Sequence, residues 1–330
     1  MGSVMACDGA MDTRAGWPKL SEMNRSEGNE IARLGPDGEC SLRMAVSGED
    51  RLKCWNLVHR IYVGKGYMQE QSLPYRYTVH DALPATGTFF VECDGAMVGT
   101  VTVFLDSPVG LPADEAYRPE LNKLRVARRQ LAEIGRLVID PAFGDYRRLL
   151  MQMVQIPCLF ARRVLGASDV VITVNPKHES FYERMMLFQT IGHQKDMSSV
   201  GGAPAVLLRM DLAVQEAVIR WAKGEGALPE GLNPRHTIYR SFATREEESE
   251  MAARIRVSRG RLDGEFFREY FVTRRQLLPG LPSELQHFFD KWYPWWNLGA
   301  NPSLAAAEDT IEGRQEAGAG IRAEMTAAAI

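Results

Sequence analysis

The sequence predicts an α/β fold: a mixed β-sheet with covering helices, followed by a mainly helical C-terminal extension. Three observations predict it. The first is a strand, a turn and a short helix in direct succession: Asp169 and the β-branched run Val170–Val174, stopped by Asn175-Pro176, then His178–Leu187 with Phe181 and Met185 at helical spacing. The second is a pair of apolar runs, 88–93 and 97–105, flanking Asp94-Gly95, a strong hairpin signal. The third is the order of hydrophobic periodicities through the middle of the chain, which reads β, α, β, β, β, α, β, α, β, β without internal repeat.

Taken in order, residues 1–40 are polar, Gly-rich and aperiodic and are expected to be disordered. Residues 42–46 alternate as a short strand, and Gly48 to Gly66 has Leu52, Trp55, Leu57, Val58 and Ile61 on one helical face. After the hairpin, a polar, Pro-rich, partly helical insertion runs from Ser107 to about Gln130. Leu131–Asp140 is a strand, Asp145 to about Leu165 a helix interrupted by Pro157, and two closing strands, 188–193 and 205–212, surround Gly201-Gly202. The organisation expected is thus a catalytic-size domain over 41–213, a helical extension over 214–300, and a disordered tail over 301–330.

Composition sets limits. A chain of 330 residues, 45% hydrophobic and 25% charged, is of ordinary globular type, and a net charge of −3 gives no overall basic field for nucleic acid. The five cysteines (Cys7, Cys40, Cys54, Cys93, Cys158) form no CxxC pair and have no His at ligand spacing, which argues against a zinc site and a disulfide framework and fits a reducing cytoplasm. No apolar run approaches the ~20 residues that span a bilayer, and the N-terminus does not read as a signal peptide.

Four blocks narrow the function: GTFFVECDGAMVGTVTVFLDSPVGLPADE (87–115), LAEIGRLVIDPAF (131–143), VVITVNPKHESFYERMMLF (170–188) and SSVGGAPAVLLRMDL (198–212). In this order they resemble the bacterial long-chain N-acyl amino acid synthases, members of the GNAT superfamily of N-acetyltransferases and relatives in fold of the acyl-homoserine lactone synthases. The resemblance covers about residues 41–212 and not the C-terminal third. It implies a GNAT-type sheet and the transfer of a long acyl group from a thioester, on acyl carrier protein, to the α-amine of an amino acid, with tyrosine the acceptor best known in the family. No bound cofactor is implied; the acyl-phosphopantetheine thioester is a substrate, with acyl-coenzyme A the less favoured form.

Thioester aminolysis needs a neutral amine, an oxyanion site and a proton for the departing thiolate. A free α-ammonium has a pKa near ~8, so a general base is useful at neutral pH. Glu133 is the candidate base, and the resemblance adds Arg136, since the lactone synthases carry the same E-x-x-R arrangement. Residues three apart on a regular strand face opposite ways, so both can line one site only if a β-bulge intervenes, and Gly135 marks the place for one. Otherwise the two are edge charges without a chemical role. A bulge also frees backbone N–H groups, and Leu137 and Val138 are the expected oxyanion donors. This strand should diverge from 170–174 and open a V-shaped slot for the pantetheine arm, lined by Leu137, Val138, Ile139 and Asn175. Tyr182 would sit beside the slot and protonate the thiolate, as the tyrosine at this position often does in the superfamily; the plainer reading is a core aromatic.

The stretch Asp140–Leu150 has one glycine and an acidic residue where acetyltransferases cradle a pyrophosphate, so Arg147 and Arg148 are expected to meet either a carrier's single phosphate or its acidic surface, unless they form a solvated helix face. Leu150, Met153, Met185 and Met186 are expected to line the acyl chain, although Met and Leu at helical spacing are equally what a plain core shows. For the acceptor, Arg60 and Arg136 compete for the carboxylate, and His80-Asp81 would help to close the pocket. The aromatic block His287–Trp296 suits intramolecular packing better than a membrane surface, because no continuous apolar face opposes a basic one. Two other functions remain open: a small-molecule acetyltransferase using acetyl-coenzyme A, and a catalytically silent lipid-binding or interaction module.

Overall fold

The structure, a computed structural model, describes residues 30–34, 39–143, 146–232, 239, 242–243, 245–258 and 262–296. Eight strands form one mixed sheet: β1 (Glu30–Leu34), β2 (Cys40–Met44), β3 (Gly87–Cys93), β4 (Ala96–Leu105), β5 (Leu131–Ile139), β6 (Asp169–Val174), β7 (Gln189–Met197) and β8 (Ala203–Asp211). Their spatial order is β1-β2-β3-β4-β5-β6-β8-β7, with β5 and β6 parallel and every other neighbouring pair antiparallel. This is the mixed, helix-covered sheet that the sequence predicts.

Local chemistry accounts for the ends of these elements. Helix α1 (Gly48–Gly64) starts at a reciprocal capping box between Ser47 and Asp50. Asp94 and Gly95 both have positive φ, 51° and 76°, which the two-residue β3–β4 turn requires. The insertion folds as α2 (Asp114–Val126), preceding β5. Pro157 does not end its helix: α3 (Tyr146–Leu159) passes through it, widens into a π-turn at Phe160–Leu165, and stops at Gly166 with φ 73°. A short helix, α4 (Glu179–Met186), follows β6.

One face of the sheet is covered by α3, the π-turn, α5 (Leu212–Ala222) and α6 (Arg245–Ser258), which share one core with Phe89, Val101, Val103, Ala132, Val170 and Leu208. The other face carries α1 over Val138, and α2 over Phe104, Leu131 and Val171. The C-terminal part, α7 (Gly264–Phe267) with the π-helical Arg268–Arg274 and α8 (Ser283–Asp290), closes a second, aromatic core against α1. Trp55, Tyr77, Phe267, Phe271, Phe289, Trp292, Tyr293 and Trp296 are buried there, so the aromatic block packs intramolecularly. Glycine at the first residue of α1 makes room for this packing: a Cβ at Gly48 would stand 2.6 Å from the Phe266 ring and displace it.

Two expectations are corrected. Within the segment read as disordered, Glu30–Leu34 forms β1, an edge strand on β2 with Ile31 and Leu34 buried; five residues are too few for a period to stand out in a polar stretch. The expectation of no disulfide also fails, since Cys40 and Cys93 are directly opposed on β2 and β3 and are bonded. They lie 53 residues apart in sequence, and only the strand register brings them together. Cys54 and Cys158 are free and buried. Residues 1–29 and 297–330 lie outside the described residues, and so does Cys7.

Candidate active site

The site begins where β5 leaves its partners. Parallel pairing with β6 covers only Leu131↔Asp169, Ala132↔Val170 and Glu133↔Val171, although β5 continues to Ile139 and β6 to Val174. Beyond Glu133 the strands part, which is the expected V-shaped slot. On the other side of β5, Thr102 pairs with Gly135 but Thr100 pairs with Val138, so three steps on β5 match two on β4. This is the bulge anticipated at Gly135, and Arg136 takes it up with φ 53°. Such a backbone is uncommon for a residue with a long side chain and is held here by the contacts that side chain makes.

The Arg136 guanidinium lies 5.0 Å from the centre of the Phe104 ring, and Phe104 is the cross-strand partner of Glu133. The bulge therefore does bring Glu133 and Arg136 onto one face. Arg136 is nearly enclosed: Nη1 donates to both oxygens of the buried Asp81 at 2.7 and 2.8 Å, and Nη2 donates to Thr78 Oγ1 at 3.0 Å. Asp81 in turn accepts from the Thr78 backbone N–H at 2.7 Å, closing the 3-10 turn Val79–Ala82.

Glu133 is 3% exposed, and its Oε2 accepts from the Ala113 N–H at 2.7 Å. Burial pushes its pKa up to about 8; the Ala113 N–H opposes this, the Asp114 carboxylate adds to it, the Arg136 cation opposes it and Asp106 adds a little more. A carboxyl poised near 8 is matched to taking a proton from an ammonium. His80 shares the site, with Nδ1 3.2 Å from Thr78 Oγ1 and its ring edge-on to Phe104, but burial lowers its pKa to about 4 and keeps it neutral.

Two neighbours were not found in the sequence. Arg76 is half-buried; its Nη2 donates to the Ser199 carbonyl at 3.0 Å, and its Nε is buried without a partner among the described residues. Tyr62, at the end of α1, has its phenol pKa raised by burial, against the pull of the Arg136 and Arg76 cations. The signal that marks this wall is a period of two: Leu73, Tyr75, Tyr77 and Val79 pack into the aromatic core, while Arg76, Thr78 and His80 alternate with them.

The remaining sequence-named residues fall in three places. Arg60 stands on the outer face of α1, 56% exposed, paired at 2.7 Å with Asp140 at the end of β5. Asn175 caps the turn after β6, accepting from Lys177 N–H at 3.2 Å. Leu137, Leu150, Met153, Tyr182, Met185 and Met186 all join the core on the α3 face, Met153 and Met186 fully buried and the others partly. Tyr182 lies edge-on to Phe181 and Phe188, with ring centres 5.4 and 5.7 Å away. Val138 packs under α1 and Ile139 in the large core. The side chains of Arg147 and Arg148, in the first turn of α3, lie outside the described residues. A separate cavity of about 330 Å³ between α4 and β8, lined by residues including Glu183, Phe188, Arg209 and Leu232, contains none of these side chains.

Residues 53–211 match the family described as N-acyl amino acid synthase FeeM. No curated protein matches the chain. Among solved structures it is similar to FeeM, an N-acyl amino acid synthase from uncultured soil microbes, at 23% identity over 56% of this chain and 94% of that one, with a TM-score of 0.47. It is also similar to the acyl-homoserine lactone synthase LasI (12% identity, 52% of this chain and 90% of that one, TM-score 0.40). The coenzyme A-dependent lactone synthase BjaI follows at 16% identity, 58% and 92% coverage, and a TM-score of 0.38. Residues 53–211, a little under half of the chain, are thus similar to the N-acyl amino acid synthase family, and they span β3 to β8 of the sheet.

Proposed function

We propose that this chain transfers a long-chain acyl group from an acyl carrier protein thioester to the α-amine of an amino acid, with tyrosine the first acceptor to try. The observation that carries this reading is the bulge that turns Arg136 onto the face of Glu133 where β5 parts from β6. The splayed strands suit a pantetheine arm, which can hydrogen-bond along the edges like an added strand. Glu133 as carboxylate takes a proton from the ammonium of the acceptor, and the freed amine attacks the thioester carbonyl. The new C–N bond forms as the carbonyl becomes an oxyanion. Arg136 and Leu137 fall between the two paired registers of the bulge, and the Leu137 N–H is the candidate donor to that oxyanion, one such donor being worth about 3 kcal/mol. Collapse breaks the C–S bond, the nitrogen gives up its second proton to water, the thiolate takes one from Tyr182, and Tyr182 and Glu133 return to their starting states by exchange with solvent.

On the donor side, the single glycine of Asp140–Leu150 supports a carrier-bound arm over a pyrophosphate-bearing coenzyme. The cluster of Leu137, Leu150, Met153, Met185 and Met186 beside the split supports a hydrocarbon chain rather than an acetyl group. Intact-mass assays with matched acyl carrier protein and coenzyme A thioesters and a panel of amino acids test both halves. Amide formed faster from the carrier thioester is the expected result; acetyl transfer from acetyl-coenzyme A in preference to long chains would replace this reading.

A further inference from the structure

The wall facing β5 across the site is the segment Leu73–Ala82, a strand-like run to Thr78 followed by the 3-10 turn Val79–Ala82, which is held from behind by the C-terminal extension at several points. Trp55 stacks on Tyr77 with ring centres 4.5 Å apart, and Tyr77 Oη donates to the Tyr270 carbonyl at 2.9 Å. Arg275 lies over the Tyr77 ring and donates to the Tyr75 carbonyl at 2.8 Å. Tyr293 Oη donates to the Ala82 carbonyl at 2.9 Å. With Leu73, Tyr75, Tyr77 and Val79 fixed in the aromatic core, the wall turns Arg76, Thr78 and His80 the other way, toward the site.

The guanidinium groups of Arg51, Arg76 and Arg136 all lie near the buried Asp81 carboxylate, with Arg275 also beside Arg76, Asp50 beside Arg51 and Glu133 beside Arg136. Arg51 is 5% exposed, and its Nε and Nη1 find no partner among the described residues. Asp81 is committed to Arg136 through both oxygens, and Arg136 is committed to Asp81 and Thr78. Arg76 holds only a neutral carbonyl, that of Ser199; its Nε is buried without a partner among the described residues, while the side chain as a whole is partly exposed. A buried excess of positive charge is costly and favours an incoming anion. Glu133, across the same face, is the group that receives an ammonium.

Resting on the acyl-transfer reading above, we propose that Arg76 anchors the α-carboxylate of the acceptor, so that the zwitterion lies between Arg76 and Glu133 with its amine toward the thioester. A fork of planar N–H donors with one face unsatisfied is the group that binds a carboxylate by paired hydrogen bonds. Arg60, at the outer face of α1, is then not needed for this role.

The test compares tyrosine with tyramine, and leucine with 3-methylbutylamine, each pair differing only by the carboxylate, on the full chain with one long-chain acyl carrier protein thioester. Wild-type protein is expected to favour the amino acid of a pair. Arg76→Gln should raise its KM for the amino acid by about 10- to 100-fold, as expected for one charge-assisted hydrogen-bond pair, and bring the two members of the pair close to parity. The KM for the thioester should not move, and Arg76→Lys should recover part of the preference. If Arg76→Gln does not fold, as judged by thermal unfolding, Arg76→Lys decides alone: an unchanged amino acid KM overturns the assignment. Amide formation by Arg76→Gln with its preference for the amino acid intact overturns this assignment and leaves the acyl-transfer reading standing. Absence of amide from wild-type protein with every amine overturns both.

Discussion

The two sides of the β5–β6 split are built from different chemistry. On the α3 side, Leu137, Leu150, Met153, Met185 and Met186 offer aliphatic and thioether surface. On the other side, Arg136, Asp81 and Thr78 are tied together by charge-assisted hydrogen bonds, Glu133 accepts from the Ala113 N–H, and behind them aromatic rings are locked by their own hydroxyl groups. A hydrocarbon tail asks only for volume and a lack of water, which flexible side chains provide in many arrangements. A zwitterion and a transferring proton ask for charges at fixed positions, which a low-dielectric site supplies only when every polar group has its partner. The contrast says where substitutions should change specificity and where they should abolish turnover.

The hardest blow to the polar side is Glu133→Gln. It should lower kcat by about 100- to 10,000-fold with little change in either KM, the loss typical of a general base. Wild-type kcat should climb as pH rises through about 8, because the carboxylate form is the active one, and this limb should vanish in the variant. The same group predicts a stability slope. Its pKa is raised from 4.5 to about 8 by folding, so between those values the folded state holds a proton that the unfolded state has lost, and stability falls as pH increases across that window. Thermal unfolding from pH 4 to 9 should show the decline in wild-type protein and its loss in Glu133→Gln.

Asp81→Asn comes next. It leaves the Arg136 cation enclosed without its counter-charge, and removal of one member of a buried pair costs about 3 to 5 kcal/mol. Denaturant unfolding should report that loss, together with a fall in kcat. On the apolar side, Met186→Ala should cost about 2 to 5 kcal/mol of stability, since the residue is fully buried. Product mass spectrometry should meanwhile show a shifted preference for acyl length with proton chemistry intact. A loss of the pH limb in this variant would break the division between the two sides. The smallest effect is expected from Tyr293→Phe, which deletes the hydrogen bond to the Ala82 carbonyl at a cost of about 1 kcal/mol. If the wall depends on its backing, the KM for the amino acid should rise while the KM for the thioester holds.

Most of the sheet was legible because its strands announce themselves locally. The β3–β4 hairpin stands on Asp94-Gly95, β6 on a β-branched run, and the bulge on one glycine inside β5. The Glu133–Arg136 pair followed from that glycine. The wall at Leu73–Ala82 was harder to see, because it pairs with no strand and its alternation has meaning only once Tyr270 and Tyr293, some two hundred residues on, supply the surface that Leu73, Tyr75, Tyr77 and Val79 meet. Arg60 and Arg76 look alike in sequence; burial and an available partner at Asp140 separate them. The Cys40–Cys93 pair was invisible for a related reason, since strand register and not spacing joins it.

That bond bears on the acceptor side in another way. The covalent loop from Cys40 to Cys93 encloses all of α1 and the entire Leu73–Ala82 wall, but no part of β5, α3, α4 or the acyl side. Closing a loop of this length removes unfolded-state entropy worth about 4 kcal/mol on the chain-entropy account. A thiol reductant therefore frees the covalent closure around α1 and the Leu73–Ala82 segment, whereas the chain topology of β5, α3 and α4 is the same with or without it.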